Sequence, residues 1–423
     1  MLYGSDTGTA EDVAFHIFRQ VASFFDSVAY HAMNEYEIAL LPTEEYVIFV
    51  TSTTGDGEVP GNMQSFWRFL LQRSLHPQSL NKLNFAVFGL GDSSYEKFNA
   101  AARRLSMRLK QLGGSEMLTI GLGDDQARCG LLTALEPWKS DLWNVISTKT
   151  SRRPPVKYNL IEKCFSIEVK DNHVHTEEYI NYVAPETGSA VTNQVEVGLV
   201  KDNIRMTAID WEQDVRLVKI QLQQDGTGAS YRAGDVAFIY PHNSLHDATR
   251  MLHILSRCAE VKMDTFVHIQ NSSLHKRTKQ LGDTRCTILH LLMKCLDING
   301  IPQRSFFEIC ASYTENEEEK DKLLEIASGE GYDIYLDYCV LAKRTFLEIL
   351  EDFTSVKLDL DVMLEVIPRL MPRLYSIASS GLVSPDTMNL CVGLVNYTSR
   401  YGRQKRGTFL LNLNRSFTIY IDL

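Results

Sequence analysis

Three short segments of this chain place glycines, hydroxyls and acids at the ends of apolar runs, the chemistry that holds a phosphorylated aromatic ligand. The first is Gly4-Ser5-Asp6-Thr7-Gly8-Thr9-Ala10, entered from Met1-Leu2-Tyr3 and followed by a helical pattern of Val13, Ala14, Ile17 and Phe18. A helix N-terminus offers free N–H groups and a positive dipole end, so it attracts phosphate. Ser5, Thr7 and Thr9 add hydroxyl donors, while Gly4 and Gly8 allow close approach. The loop holds no lysine, which argues against a nucleoside-triphosphate site and for one terminal phosphate monoester. An ordinary capped turn would use the same residue types. The second segment is Ser52-Thr53-Thr54-Gly55-Asp56-Gly57. The third is Leu90-Gly91-Asp92-Ser93-Ser94-Tyr95-Glu96-Lys97-Phe98-Asn99. Their glycines and amides suit the edge of a flat ring, and Tyr95 suits its face, although a half-exposed core tyrosine reads alike. Gly121-Leu122-Gly123-Asp124-Asp125 has a similar composition.

The elements that must position these loops are short strands and helices in alternation. Tyr46–Val50 and Phe85–Phe88 are β-rich apolar runs that read as buried parallel strands. Between them Met63, Phe66, Trp67, Phe69 and Leu70 recur at helical spacing, and Ala101, Leu105, Leu109 and Leu112 follow the second run. The alternation predicts a doubly wound α/β domain over 1–147, with ligands beyond the carboxyl ends of its strands. Residues 148–193 open on Ser151-Arg152-Arg153-Pro154-Pro155, turn polar, and read as a linker. From 194 the pattern changes to antiparallel strands: Val215–Leu222, a turn at Asp225-Gly226, then Tyr231–Pro241, which predicts a small barrel. Over about 245–366 helical spacing returns as an insert, with Met251 and Leu255, Ile288 and Leu292, Phe306 and Cys310, and Phe346 and Leu350. The acidic run Glu317-Glu318-Glu319 is a solvated helix face.

Composition narrows the function classes. The chain has 423 residues, 44% apolar and 23% charged, with a formal net charge of −10. That size predicts two or three domains, and the charge argues against nucleic acid and for a partner with a basic face. No apolar run reaches the roughly 18 residues of a membrane span. No secretory signal is visible, and eight scattered cysteines read as reduced thiols, so the expected compartment is cytoplasmic. His173 and His175 lie in a polar stretch and read as solvated; no metal site is expected.

Taken together, S-D-T-G-T-A, T-T-G-D-G and L-G-D-S-S-Y-E-K-F-N resemble the FMN site of the flavodoxin-like domains in diflavin reductases. Phe66-Trp67-Arg68-Phe69, Leu122-Gly123-Asp124-Asp125-Gln126 and Arg304-Ser305-Phe306-Phe307-Glu308 resemble the NADPH-dependent diflavin oxidoreductase subfamily, cytosolic relatives of cytochrome P-450 reductase. The latter carry an aromatic residue where Thr54 stands. The resemblance implies that Ser5–Ala10 bind the FMN phosphate, that Ser52–Gly55 and Leu90–Asn99 flank the isoalloxazine, and that Asp125 lies near the ring or ribityl chain. Arg373-Leu374-Tyr375-Ser376-Ile377-Ala378-Ser379-Ser380 resembles the R-x-[YF]-S-I-A-S-S signature that holds FAD. It implies Arg373 on the pyrophosphate, Tyr375 stacked on the isoalloxazine and Ser376 near flavin N5 as the catalytic residue. Lys343 stands where the family has a further FAD-contacting arginine, with Arg344 as a substitute. The implied reaction runs from NADPH through FAD and FMN to a one-electron acceptor, an anamorsin-type iron–sulfur protein in cytosolic iron–sulfur cluster assembly.

The chain departs from the family at three further places. Asp6 replaces Gln or Glu, and only three residues precede Gly4, where the family strand is longer, so weakened FMN binding is expected. After Gly407 the family's pyrophosphate-clasping motif gives way to Thr408-Phe409-Leu410-Leu411. The expectation is therefore an incomplete barrel over 194–423, doubtful FAD binding, no NADPH domain and no NADPH oxidation by this chain alone. The rival expectation is a non-catalytic FMN carrier or regulatory fragment. A reductase of the P-450 type is a further alternative.

Overall fold

The computed structural model describes residues 1–21, 25, 28–150, 165–170, 194–222, 231–232, 235–271, 284–384, 386–407 and 416–422. Its first part is a parallel sheet built from β1 (Leu2–Gly4), β2 (His31–Ala32), β3 (Tyr46–Ser52), β4 (Asn84–Gly91), β5 (Ser115–Glu116) and β6 (Gly121–Asp124). The order is β2-β1-β3-β4-β5, with β6 also on β4. Helices cover both faces: α1 (Thr9–Val21) and α4 (Leu132–Thr150) on one, α2 (Gln64–Leu70) and α3 (Ala100–Gln111) on the other. β3 and β4 are buried along nearly their whole length, so they read as continuous apolar runs rather than alternating ones. The expected doubly wound domain is present. The short first strand is confirmed at three residues and lies between β2 and β3, where the chain order reverses. The crevice at such a reversal is where open α/β sheets bind ligands.

The second part is antiparallel. β8 (Gln194–Arg205), β9 (Val215–Leu222), β10 (Val236–Ile239), β13 (Arg373–Ser376), β14 (Thr387–Gly393) and β17 (Ser416–Asp422) follow in the order β13-β10-β17-β8-β9-β14. A bridge between Ile377 and Leu390 joins the two ends of that order, so the six strands form a ring. This differs from the expected incomplete barrel. β17 pairs with β10 from Val236↔Asp422 to Ile239↔Ile419, and with β8 from Ser416↔Leu199 to Ile421↔Gln194. The divergent tail thus supplies a middle strand. Its Phe417, Ile419 and Ile421 alternate with Thr418 and Tyr420, a period-two pattern fit for a ladder.

Between β10 and β13 lies the helical insert: α5 (Leu245–Leu255), α6 (Ile288–His290) running on as a π-turn, α7 (Arg304–Ser312), α8 (Glu317–Ala327), α9 (Tyr332–Tyr335), α10 (Phe346–Asp352) and α11 (Leu360–Val366). The expected apolar positions Met251, Leu255, Ile288, Leu292, Phe306, Cys310, Phe346 and Leu350 meet in one core. The insert also holds a three-stranded sheet, β12-β11-β7, built from β7 (Phe165–Lys170), β11 (Phe266–Asn271) and β12 (Thr284–Thr287). β7 falls within the expected linker: Phe165, Ile167 and Val169 alternate with polar residues, and that pattern pairs with β11. A hairpin of β15 (Asn396–Thr398) and β16 (Gln404–Arg406) follows β14. The rest of the linker, the His173 and His175 pair, the Asp225-Gly226 turn and Thr408–Leu411 lie outside the described residues.

Candidate functional site: two flavin sites

The three loops leave the carboxyl ends of β1, β3 and β4, and they meet around a cavity of about 430 Å³. Thr7, Thr9, Ser52, Thr53, Gly55, Leu90, Gly91, Asp92, Tyr95, Glu96, Lys97, Phe98, Asn99 and Asp125 line it, joined by Asp56, Gly57 and Leu131. Leu131 is an apolar residue in a turn and carries no chemical signature in the sequence. Ser5, Asp6, Gly8, Ala10, Thr54, Ser93 and Ser94 stand outside the lining, and their bonds explain why.

Ser5 and Asp6 brace the phosphate loop. The Ser5 amide donates to Asn62 Oδ1 at 2.8 Å, and Asp6 Oδ1 accepts from the Gly61 amide at 2.7 Å. Asp6 therefore ties the first loop to the segment after the second. Ser5 Oγ accepts from the Gly8 amide at 3.0 Å. Gly8 sits at φ +90°, and nothing lies within 4 Å of where its Cβ would stand, so the cradle beside it is open. Ala10 is fully buried on α1. α1 begins at Thr9, so its first-turn N–H groups, which lack intrahelical acceptors, face this loop.

The second loop folds back through paired backbone bonds between Thr54 and Glu58. Lys97 Nζ bonds Asp56 Oδ2 at 2.6 Å, and Arg104 donates to the Gly57 carbonyl, so the second and third loops are stitched together. In the third loop Asp92 Oδ1 accepts from the Ser94 amide at 2.8 Å, and Asp124 Oδ1 accepts from the Ser93 amide at 2.9 Å. Asn99 is fully buried at φ +54°, and its Nδ2 donates to the Gly123 carbonyl at 2.9 Å. A Cβ on Gly89 would lie 2.5 Å from Asn99 Oδ1, so only glycine admits this strut. Tyr95 is 67% exposed, with a ring free to cover a ligand face.

These residues fit FMN. The loop before α1 has the donors for one phosphate monoester, and the cavity beyond it has backbone edges and an aromatic ring. Asn99 itself belongs to the cavity lining, and its Oδ1, packed towards Gly89, is buried without a hydrogen-bond partner among the described residues.

Acidic groups crowd the rim. Hydrogen bonds from Ser94 hold the Asp92 carboxyl below the usual carboxylate range. Asp125 is shifted upward, first by desolvation between the loops and then by the negative charge of Asp92 and Asp124. A raised carboxyl destabilises the fold once it ionises, so the penalty is absent at acid pH and appears as pH rises through the raised value. Asp125→Asn should therefore raise the melting temperature at pH 7 and leave it unchanged near pH 3. A thermal-unfolding series across that range checks this, and a gain that is larger at pH 3 would contradict it.

The second signature lies on β13, exposed at Arg373, Leu374 and Ser376. Arg373 Nη1 donates to the Met371 carbonyl at 2.9 Å, while Tyr375 is half-buried against the barrel core. Burial shifts the Tyr375 phenol upward. Ser379 Oγ accepts from the Asn389 amide at 3.0 Å and donates to the Tyr231 hydroxyl at 2.7 Å; that hydroxyl donates to the Thr387 carbonyl at 2.6 Å. The serine turn thus locks β13 to β14. Lys343 occupies the left-handed region at φ +54°. Arg344 is committed elsewhere, paired with Asp352 and stacked 4.2 Å over the Tyr338 ring, so it does not replace Lys343. Arg373, Tyr375 and Ser376 set a guanidinium, a phenol and a hydroxyl along one strand, groups suited to the pyrophosphate and flavin of FAD.

Comparison with known proteins bears on the two domains. Residues 1–138 match the flavodoxin family, and residues 192–409 match the FAD binding domain family. The chain is 34% identical to NADPH-dependent diflavin oxidoreductase 1 of Xenopus laevis, over 96% of this chain and 69% of that protein. It is 36% identical to the Mus musculus protein of the same name, over 98% and 70%, and 32% identical to that of Schizosaccharomyces pombe, over 100% and 72%. The chain belongs to the NADPH-dependent diflavin oxidoreductases. This diflavin oxidoreductase is an oxidoreductase with a flavodoxin-like domain and an FAD-binding domain. Among the described residues no helix is long and apolar enough to cross a membrane, and no cluster of side chains is placed to hold a metal ion.

Proposed function

We propose that this diflavin oxidoreductase passes electrons singly, through FAD along β13 and FMN in the groove, to an iron–sulfur protein of the anamorsin type, with NADPH, the donor its relatives are named for, as their source and with no residue of this chain assigned to bind it. The work would be cytosolic iron–sulfur cluster assembly. The flavins, when bound, supply the conversion of a two-electron donation into one-electron transfers. The chain supplies the rest. Thr7, Thr9 and the N-terminus of α1 hold the FMN phosphate. Ser52–Gly55 and Leu90–Asn99 hold the ring edge, and Tyr95 covers a face. Arg373 and Lys343 neutralise the FAD pyrophosphate, Leu374 and Tyr375 lie along the flavin, and Ser376 offers a hydroxyl at its reacting edge.

The observation that carries the acceptor reading is the rim of the groove. Asp56, Glu58, Asp92, Glu96, Asp124 and Asp125 are acidic, and Tyr95 among them is exposed. Such a rim attracts a small partner with a basic face and speeds its encounter. The test uses the flavin-loaded chain, reduced anaerobically with dithionite and mixed with an anamorsin-type protein in a stopped-flow instrument at rising ionic strength. Fast acceptor reduction that slows several-fold with salt is expected. Reduction that ignores salt rejects the acidic rim as the docking surface. Failure to reduce the acceptor at any salt rejects the acceptor.

A further inference from the structure

The helical insert reaches across to the wall of the FMN groove. Gly130 lies at φ +53° in the turn between Asp125 and α4. A Cβ there would stand 2.6 Å from the Tyr332 hydroxyl and 3.2 Å from its Cζ. The tip of Tyr332, the first residue of α9, therefore rests on the backbone of this turn. The same turn closes the groove. The Asp125 amide donates to the Gly91 carbonyl at 2.9 Å, Gln126 Nε2 donates to Asp92 Oδ2 at 3.0 Å, and Leu131 lines the cavity.

The insert is held in this place by a second group of contacts. Ser305 Oγ donates to Asp12 Oδ1 at 2.9 Å. His16 Nδ1 stands 3.2 Å from Glu308 Oε2, and His16 Nε2 stands 2.9 Å from Lys139 Nζ. The lysine ammonium has only donors, so Nε2 accepts and Nδ1–H donates to Glu308. One chain of bonds thus links α4, α1 and α7.

We infer that Tyr332 is a positioning residue for FMN: the insert, docked on α1 and α4, presses Tyr332 onto Gly130 and holds the 125–131 turn in the shape that walls the groove. This rests on the reading of the groove as the FMN site. Coupling of this kind is reciprocal, so FMN binding also strengthens the docking of the insert.

The test is titration of the full chain, stripped of FMN, with FMN followed by flavin fluorescence. Tyr332→Ala should weaken FMN binding on the order of tenfold. Tyr332→Phe, which keeps the ring, should restore it to within about threefold, and the FAD content of both variants should equal wild type. The visible circular dichroism of FMN bound at saturation should change in Tyr332→Ala and not in Tyr332→Phe. Gly130→Ala, made on the other side of the contact, should weaken FMN binding by less in the Tyr332→Ala background than alone, because the methyl then meets no ring. Equal FMN affinity for wild type and Tyr332→Ala overturns the inference. If Tyr332→Ala loses FAD as well, its fold has failed and Gly130→Ala decides: wild-type FMN affinity in that variant overturns the inference. A wild-type chain that binds no FMN rejects the groove reading itself, and the inference falls with it.

Discussion

Deleting residues 416–422 will strip FAD from this diflavin oxidoreductase and leave FMN in place. β17 lies in the middle of the barrel order, bonded to β10 on one side and β8 on the other. Without it both neighbours present a row of unpaired backbone groups. A buried donor or acceptor left without a partner costs about 1–3 kcal/mol, and whole domains are stable by only about 5–15 kcal/mol. A few such groups exhaust that margin. β13, which carries Arg373, Tyr375 and Ser376, pairs with β10 and so loses its support when β10 does. The flavodoxin-like sheet shares no strand with the barrel and should survive. Flavin release by heat and chromatography reads both outcomes: FAD should fall below about a tenth of the wild-type content, with FMN unchanged. FAD retained in the deletion would mean that β8 and β10 close on each other and that β17 is dispensable.

That strand also marks what the sequence reveals and what it hides. The loops after β1, β3 and β4 are legible because strand, turn and helix chemistry is local: a few residues of glycine and hydroxyl at a strand end declare themselves. The fold of the first domain follows from the same local alternation. β17 and β7 each show a period-two pattern, yet the partner of a strand is set by residues far away in the chain, and no local rule names it. The tail lies past residue 409, where the match to the FAD binding domain family ends, so the resemblance that locates Arg373 says nothing about it. Within the site the sequence shows residue type and not partner. Asp6, Asp92 and Asn99 have the residue types of a ligand shell, and their side chains also tie the loops to neighbouring backbone, Asp92 and Asn99 while lining the cavity. A short polar side chain in a loop serves neighbouring backbone as readily as a ligand, and only the geometry separates the two. Tyr332 carries no local signal for a simpler reason: it belongs to the insert, far along the chain from the Gly130 turn that it touches.

Replacing Thr9 by aspartate should abolish FMN binding without weakening the protein. Thr9 opens α1 and lines the groove, so a carboxylate there would face the FMN phosphate. Two unit charges about 4 Å apart near a protein surface repel by about 4 kcal/mol, and each 1.4 kcal/mol is about tenfold in affinity. Even after partial screening by salt, a loss of more than about 100-fold is expected. The stability effect has the opposite sign. An acidic residue in the first turn of a helix meets the positive end of its dipole, so the apoprotein should unfold at the same temperature or a slightly higher one. Thr9→Ser keeps the hydroxyl and should bind FMN within about threefold of wild type. FMN titration and thermal unfolding of the apoprotein, run on the same three samples, separate the alternatives. If Thr9 merely caps a helix, the aspartate variant keeps or gains stability and keeps its FMN. If Thr9 holds the phosphate, stability and affinity move in opposite directions, which no general loss of structure can produce.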